Sequence, residues 1–211
     1  MRSATPPVTP SKVEKLTDSR LRIGTIDVDM AAKEVSVPGT INEAPVLEFL
    51  ANTKGGYKNY ESAIEADCSA IDFNLGLLLI GLDRDRAAAR PRFHFDPIPP
   101  DGDSVEIWVS WKAGTETKRS RADDLLYDIS TKKSVSPGRW VYTGSRFMPK
   151  STAFLADVDG VLIGFVHTPA PLIERVDQVP AYGNIALSPT LGLSPGTAVT
   201  LTVKALPRSA Q

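Results

Sequence analysis

Four polar residues of this chain are of the types that carry out hydrolytic chemistry. His167 stands at the end of an apolar run, where an imidazole could serve as a general base or a metal ligand. Asp157 or Glu61 could orient that base, and Ser62 adds a hydroxyl next to Glu61. No second ligand stands at metal spacing from His167, so a hydrogen-bonded structural histidine is the favoured interpretation.

Three other motifs fall short of the chemistry that they suggest. Ser145 lies in Thr-Gly-Ser-Arg-Phe, which lacks the second glycine of a Gly-x-Ser-x-Gly nucleophile turn. The segment 157–160 reads Asp-x-Asp-Gly but lacks the further acidic ligands of a calcium loop, so a hairpin turn is preferred. Cys68 has no flanking histidine or basic residue, which favours a small, half-buried side chain. No metal and no cofactor is therefore predicted.

The charge balance excludes a general attraction to polyanions. The chain has 24 Lys and Arg residues against 25 Asp and Glu, a formal net charge of −1. We therefore expect neither a nucleic-acid partner nor binding to an anionic membrane. Lys118, Arg119 and Arg121 form a small basic cluster, but three aspartates follow within seven residues. The sequence alone favours a solvated, locally neutralised surface there.

Short runs with a period of two predict that strands position most of these residues. A hairpin is expected where Ile26 and Val28 face Val35 and Val37. The clearest strand is 104–111, in which apolar and polar residues alternate. Further strands are predicted at 45–50, 139–143, 153–156, 161–166 and 197–203, with the turn of a hairpin at 157–160.

One strongly apolar helix is predicted at about residues 69–81. Ser69 can cap its first turn together with Asp72. Because the segment is apolar on nearly every side, we expect it to be buried, with Leu78 in the middle of one stripe. A shorter helix is expected at 121–128. The predicted fold class is α+β, a mainly antiparallel sheet with one strongly buried helix and long proline-rich loops.

The chain is expected to hold a disordered, proline-rich tether at 1–20 and a single domain at 21–211. Long proline-rich connections at 83–103 and 169–195 are of a kind that is often functional or locally disordered. The longest nearly apolar run, 75–82, is too short to span a membrane. The start lacks the apolar core of a signal peptide, which leaves a cytosolic protein or an exported domain whose targeting segment was removed. The proline-rich composition of the tether favours the exported domain.

Several sequence blocks together carry a family resemblance. The segment Asn-Tyr-Glu-Ser at 59–62 precedes a predicted helix that ends in Leu-Leu-Leu-Ile-Gly-Leu. Further blocks lie at 101–107 with Trp111, at 140–146, at Asp157 with 160–163, and at 195–199. Together they resemble the YdjY-like domains over roughly residues 21–205. The resemblance implies an exported bacterial protein or a lipoprotein, and it brings no reaction with it.

Two features depart from that family's pattern. Tyr60 stands where many members have a histidine, so the resemblance implies no proton transfer at this position. Some members carry a ferredoxin-like cysteine cluster in the region matching 161–168, where this chain has no cysteine. Since an iron–sulfur cluster generally needs four thiolates, the resemblance does not extend to electron transfer.

The expected function is that of a non-enzymatic, extracytoplasmic binding module for a protein or small-molecule partner, with a possible membrane tether upstream. It follows from the absence of a catalytic set at a recognisable spacing. Two alternatives stay open: a hydrolase that uses His167 with Asp157 or Glu61, and a structural module of an envelope assembly. A concave pocket that unites these residues and Ser62 would favour the hydrolase.

Overall fold

The fold is mostly β-structure. The computed structural model describes residues 11–87, 93–177, 179 and 183–207. Strands hold 39% of the described residues and helices 15%, so the predicted combination of sheet and helix is present, with strands in the larger part. No helix among the described residues is long and apolar enough to cross a membrane.

Within the described ranges the strands are β1 (Val13–Lys15), β2 (Arg20–Ile23), β3 (Ile26–Asp29), β4 (Glu34–Ile41), β5 (Phe49–Thr53), β6 (Ser62–Ala66), β7 (Asp103–Ala113), β8 (Glu116–Arg121), β9 (Leu126–Asp128), β10 (Lys133–Ser134), β11 (Trp140–Tyr142), β12 (Val161–Gly164), β13 (Ile173–Arg175), β14 (Ile185–Leu187) and β15 (Ala198–Ala205). The α-helices are α1 (Ala70–Leu79) and α2 (Leu155–Asp159), and 3-10 turns lie at Asn59–Glu61, Arg84–Arg86, Ala122–Leu125 and Pro189–Leu191.

Eight strands form a closed ring. In order around it they are β4, β15, β7, β11, β13, β12, β5 and β6, and β6 pairs again with β4. The pairs β12–β13 and β5–β6 run parallel, and the other neighbours in the ring run antiparallel. A ribbon of β1, β2 and β3 continues from β4, and β8 pairs with β7. The remaining strands, β10, β9 and β14, form a small separate sheet.

Strand β4 closes the ring because it pairs with two different neighbours. Residues 34–40 pair with β15, and residues 39–41 pair with β6. Gly39 belongs to both ladders, and a Cβ atom at this position would lie 2.6 Å from the carbonyl oxygen of Glu65. The seam of the ring therefore requires a residue without a side chain.

The predicted strand alternation is confirmed in β7. Val105, Ile107 and Val109 point into the core, while the residues between them lie on the outer face. The predicted hairpin is also confirmed, since β3 and β4 are antiparallel neighbours with Val28 opposite Val35. These local patterns therefore determine which side of each strand is buried.

Helix α1 begins as the sequence predicts. The hydroxyl of Ser69 accepts a hydrogen bond from the backbone N–H of Asp72 at 3.2 Å. On the inward side of the helix, Phe73 is fully buried. A Cβ atom on Gly76 would lie 3.3 Å from a methyl group of Val35, so this glycine allows the helix to approach the sheet closely.

The opposite side of α1 faces solvent, which corrects the expectation of a helix buried all round. Leu78 is 43% exposed, and Ile71 and Leu75 are partly exposed. The fully buried stripe runs through Phe73 and Leu77 instead. The helix packs against β3, β12 and α2, and its apolar composition does not reveal which of its sides these neighbours cover.

Three predicted elements differ in type or position. Helix α2 occupies part of the stretch 153–160, predicted as a strand and a hairpin turn, and Gly160 ends it with a φ of 67°. The helix predicted at 121–128 is a 3-10 turn followed by β9, which pairs with β10 and β14. The strand predicted at 45–50 is β5, at Phe49–Thr53. Strand partners from distant segments override short local patterns of this kind.

The chain joins the fold before the predicted tether boundary at residue 20. Residues 1–10 of that tether lie outside the described residues, but β1 pairs with β2 from Val13 onward. The backbone N–H and the hydroxyl of Ser11 donate to the Asp72 carboxylate at 2.7 and 2.8 Å. The segment 11–20 is therefore part of the domain.

The two long connections also contain regular structure. The stretch 169–195 includes β13, β14 and the 3-10 turn at Pro189–Leu191. The stretch 83–103 includes the 3-10 turn at Arg84–Arg86, and residues 88–92 of it lie outside the described residues. The predicted long proline-rich loops are therefore interrupted by short regular elements.

Candidate functional site

Asp157 caps helix α1 from helix α2. Its carboxylate accepts hydrogen bonds from the backbone N–H groups of Ala70 at 2.6 Å and Ile71 at 3.1 Å. Both belong to the first turn of the helix, where N–H groups have no partner within the helix. Burial raises the pKa of Asp157, and the two N–H groups act against that rise. Both carboxylate oxygens of Asp157 are thus committed to joining two helices.

Glu61 and Ser62 lie where the turn before β6 enters the ring. Ser62 is fully buried, and its hydroxyl donates to the carbonyl oxygen of Lys58 at 2.8 Å. The Glu61 carboxylate forms an ion pair with the ammonium group of the same lysine. Burial is the largest single influence on Lys58 and acts against its charge, but the hydrogen bond and the charge of Glu61, together with the two neighbouring tyrosines, outweigh it and raise the pKa of this lysine. Both side chains therefore stabilise the turn through Lys58.

His167 is buried with both ring nitrogens beside backbone carbonyl oxygens. Nδ1 lies 3.1 Å from the carbonyl oxygen of Asp96, and Nε2 lies 2.8 Å from that of Arg175. A carbonyl oxygen only accepts, so the ring nitrogen that carries a proton donates to the carbonyl oxygen beside it. Both ring nitrogens thus lie against backbone atoms of the buried interior. These contacts are those of a structural histidine.

The ring of strands separates the candidates. Asp157 precedes β12 and His167 follows it, so a four-residue strand of about 13 Å, at the usual rise per residue, lies between them. Glu61 is connected to the residue before His167 through the backbone of Glu48. The N–H of Glu48 donates to the Glu61 carbonyl, and its carbonyl accepts from the N–H of Val166. Within the described residues, no hydrogen bond joins any two of the four candidate side chains.

An open cleft of about 500 Å³ lies at the N-terminal end of α1. Its lining includes Cys68 and the carboxylates of Asp72 and Asp157. Burial, followed by the nearby carboxylates, raises the pKa of the Cys68 thiol far above its usual range. A thiol that stays protonated is a poor nucleophile and a poor metal ligand. No group of three or more His, Cys, Asp or Glu residues in the described part of the chain could hold a metal ion.

A buried ion pair that the sequence analysis missed lies next to His167. Arg175, whose carbonyl contacts that histidine, has its Nε 3.6 Å from Oδ1 of Asp123, and the side chains are only 3% and 2% exposed. Asp123 also accepts a hydrogen bond from the indole N–H of Trp140, and Arg175 donates from Nη2 to the Ser136 carbonyl at 2.6 Å. Burial lowers the pKa of Arg175. No sequence signal marks this pair, since Asp123 stands in a charged run typical of solvated surface.

The segment Tyr57–Ser62, called the aromatic turn below, presents two tyrosines to solvent. Tyr57 is 58% exposed and Tyr60 is 55% exposed. The ammonium group of Lys58 lies 5.5 Å from the ring centre of Tyr57 and 5.8 Å from that of Tyr60, within the range of cation–π attraction. Because Lys58 also binds Glu61 and Ser62, the two exposed rings lie on a turn that is fastened to the sheet.

The fold and its contacts define a domain built on a closed eight-stranded ring, with the aromatic turn on the connection between β5 and β6. The family model of the YdjY domain matches residues 26–204 of the chain. The match covers most of the sequence, so the protein belongs to the YdjY domain family, as its sequence blocks predicted. No curated protein and no solved structure matches the chain.

Proposed function

We propose that this YdjY domain is a non-enzymatic binding module that holds a protein partner through the aromatic turn. The observation that carries the proposal is the pair of exposed tyrosines around Lys58. Tyrosine offers a large contact area with few rotatable bonds, and it is enriched among the residues that dominate protein interfaces. The lysine between the rings is paired with Glu61 and holds both rings by cation–π attraction.

The contacts of three candidate side chains support a binding role over a hydrolytic one. The Ser62 hydroxyl donates to a backbone carbonyl, so no general base stands on its proton. The Asp157 carboxylate binds two backbone N–H groups, and both nitrogens of His167 face carbonyl oxygens. Each group therefore satisfies a buried backbone partner whose loss would itself cost stability.

The test is site-specific photocrosslinking in native cells. A photoreactive amino acid at position 60 is expected to yield one discrete adduct with a partner protein. Tyr57→Ala should abolish that adduct, because it removes half of the exposed aromatic pair. The matched control is the same photoreactive residue at Leu16, which is 44% exposed in the turn between β1 and β2.

A discrete adduct from position 60 that persists in Tyr57→Ala, or one that also forms from position 16, would contradict binding through this turn. Complete absence of an adduct from both positions 57 and 60 would contradict it as well. Circular dichroism spectra of each variant establish that the fold is retained, which separates lost binding from unfolding.

We further propose that the module works outside the cytoplasm, tethered through the segment that precedes the domain. The support is the family resemblance, whose members are typically exported, and the proline-rich start of the chain. Fractionation of native cells tests it. Recovery of the protein with the periplasmic or membrane fraction is expected, and recovery with cytosolic markers would overturn the proposal.

A further inference from the structure

The basic cluster on β8 is not neutralised by the aspartates that follow it in the sequence. Asp123 is buried and bonded to Trp140. Asp124 accepts from the hydroxyl of Ser120, and Asp128 binds the hydroxyls of the turn that follows it. Asp123 and Asp128 are therefore bound elsewhere, and Asp124 stays at the end of β8, bonded to Ser120 and to the backbone N–H of Arg121 without an ion pair to a described cation.

Trp108 holds two of these arginines on the outer face of the sheet. The guanidinium carbon of Arg119 lies 4.5 Å from the centre of the Trp108 ring, and that of Arg121 lies 5.2 Å from it. Arg121 is paired with Glu106 at 2.9 Å, whereas no carboxylate among the described residues pairs with Arg119. Stacking thus fixes an exposed guanidinium whose charge and N–H donors remain available.

A second cation lies beside Arg119. In the pairing of β7 with β8, Arg119 is opposite Ser110, and Lys112 is two residues further along the same face. Diagonal neighbours of this kind are about 7–8 Å apart. The Lys112 ammonium donates to the Thr117 hydroxyl at 2.6 Å, and no described carboxylate pairs with it. Two positive charges therefore lie on the same face of the β7–β8 strand pair.

Hydroxyl groups continue this face on the neighbouring strand. Thr200 of β15 is opposite Ser110, and Thr202 is opposite Trp108. The hydroxyls of Thr202 and Ser36 lie 2.9 Å apart. The face thus consists of one indole in cation–π contact with two guanidinium groups, the Glu106–Arg121 ion pair, two further cations that no described carboxylate pairs with, and a row of groups that both donate and accept hydrogen bonds.

We propose that this Trp108 face, comprising Trp108, Ser110, Lys112, Arg119, Thr200 and Thr202, binds an acidic polysaccharide. The carboxylate or sulfate groups would be held by Arg119 and Lys112, and the sugar hydroxyls by the row of Ser and Thr side chains. The site is separate from the aromatic turn and does not depend on the partner proposed there.

The chemistry of the face favours a polysaccharide over other polyanions. Single-stranded nucleic acid binds by stacking bases on exposed aromatic rings, but the Trp108 ring already carries two guanidinium groups. An acidic peptide gains affinity from apolar anchors that fill pockets. The outward side chains named above provide no such apolar pocket, and they provide many hydroxyls.

The experiment is isothermal titration of the whole chain at low salt with four polyanions and one neutral polymer. The probes are polygalacturonate, dextran sulfate, polyglutamate, a single-stranded DNA oligomer and neutral dextran. We expect binding of polygalacturonate or dextran sulfate that weakens as salt rises, and none of neutral dextran. The difference between the first two probes shows whether carboxylate or sulfate is the preferred group.

Arg119→Ala should weaken that binding by at least about tenfold, as expected for loss of a charge-assisted hydrogen-bond pair. Arg119→Lys should restore it only partly, since lysine lacks the planar donor pair. The matched control is Lys118→Ala, which removes one positive charge from the same strand but from its other side.

An equal loss of affinity in Arg119→Ala and Lys118→Ala would mean that the overall charge of the protein causes the binding, and it would overturn the proposal. So would binding of polyglutamate or DNA as tight as that of the polysaccharides, or no binding of either polysaccharide at low salt. Failure of the photocrosslinking experiment on the aromatic turn has no bearing on these outcomes.

Discussion

The carboxylate of Asp157 binds the backbone N–H of Ala70, 87 residues earlier in the chain, at 2.6 Å. Its second oxygen binds the N–H of Ile71. Helix α1 is therefore capped twice, locally by Ser69 and from a distance by α2. This distant cap joins the segment that follows β6 to the segment that precedes β12. Strands β6 and β12 are the two neighbours of β5 in the sheet.

Asp157→Ala is expected to lower the free energy of unfolding by about 1–2 kcal/mol, because two N–H groups of the first helical turn lose their acceptor. Asp157→Asn should lose less stability, since its amide oxygen can still accept a hydrogen bond from one of these N–H groups. Urea denaturation measures both, with Ser69→Ala as the matched change at the local cap. A wild-type midpoint for Asp157→Ala would show that the carboxylate does not stabilise the helix.

Adjacent leucines of α1 should respond very differently to truncation. Leu77 is fully buried, so Leu77→Ala should cost about 2–5 kcal/mol through lost burial and a cavity. Leu78→Ala should change stability by less than about 1 kcal/mol, because this side chain is already in contact with solvent. Denaturant midpoints of the two variants measure this difference in stability. A larger loss of stability in Leu78→Ala than in Leu77→Ala would contradict the assignment of the buried face.

Gly39→Ala should open the seam of the ring. Its new methyl group would meet the Glu65 carbonyl oxygen at 2.6 Å, and overpacking of this kind costs about 1–3 kcal/mol. Amide hydrogen exchange should report faster exchange in β6 as well as a lower Tm. Thr40→Ala, on the exposed neighbour in β4, is the control, and similar behaviour of the two variants would exclude the close contact as the cause.

The Glu106–Arg121 pair should make stability depend on pH. The hydrogen bond from Arg121 lowers the pKa of Glu106, with burial acting in the opposite direction. As pH falls, the unfolded chain takes up this proton first, so the pair stabilises the fold above pH about 4.5, and the contribution is lost below that value. Because both side chains are partly exposed, it amounts to less than about 1 kcal/mol.

Glu106→Gln should therefore reduce the loss of unfolding free energy on acidification. Glu34→Gln, which removes the carboxylate from the surface pair with Lys204, is the matched control. Chemical denaturation at a series of pH values measures both. The same reduction in the control would mean that general surface charge, and not the contact with Arg121, sets the pH dependence.

Deletion of residues 1–18 should lower the Tm, because it removes β1 and both hydrogen bonds from Ser11 to Asp72. Deletion of residues 1–9 retains those contacts and is the control. Scanning calorimetry of both proteins should show the drop in the longer deletion alone. An equal drop in both would assign the stabilisation to the first nine residues.

Local sequence patterns alone determined several features correctly. The alternation in β7, the hairpin of β3 and β4, the Ser69 cap of α1 and the family follow from residues that are close in the sequence. Each depends on an interaction whose range is a few residues: the pleat of a strand, one turn of a helix, or a run of motif residues. Such interactions are the same whatever surrounds them.

The tertiary structure decided the features that depend on which distant segments meet. Leu78 is exposed although its neighbours are as apolar as itself, because the sheet covers the other side of α1. Asp157 is a helix cap because α2 carries it to the first turn of α1. Asp123 does not pair with Arg119, because it is buried in contact with Trp140 and Arg175. Burial and charge pairing depend on three-dimensional neighbours, which neither composition nor local periodicity specifies.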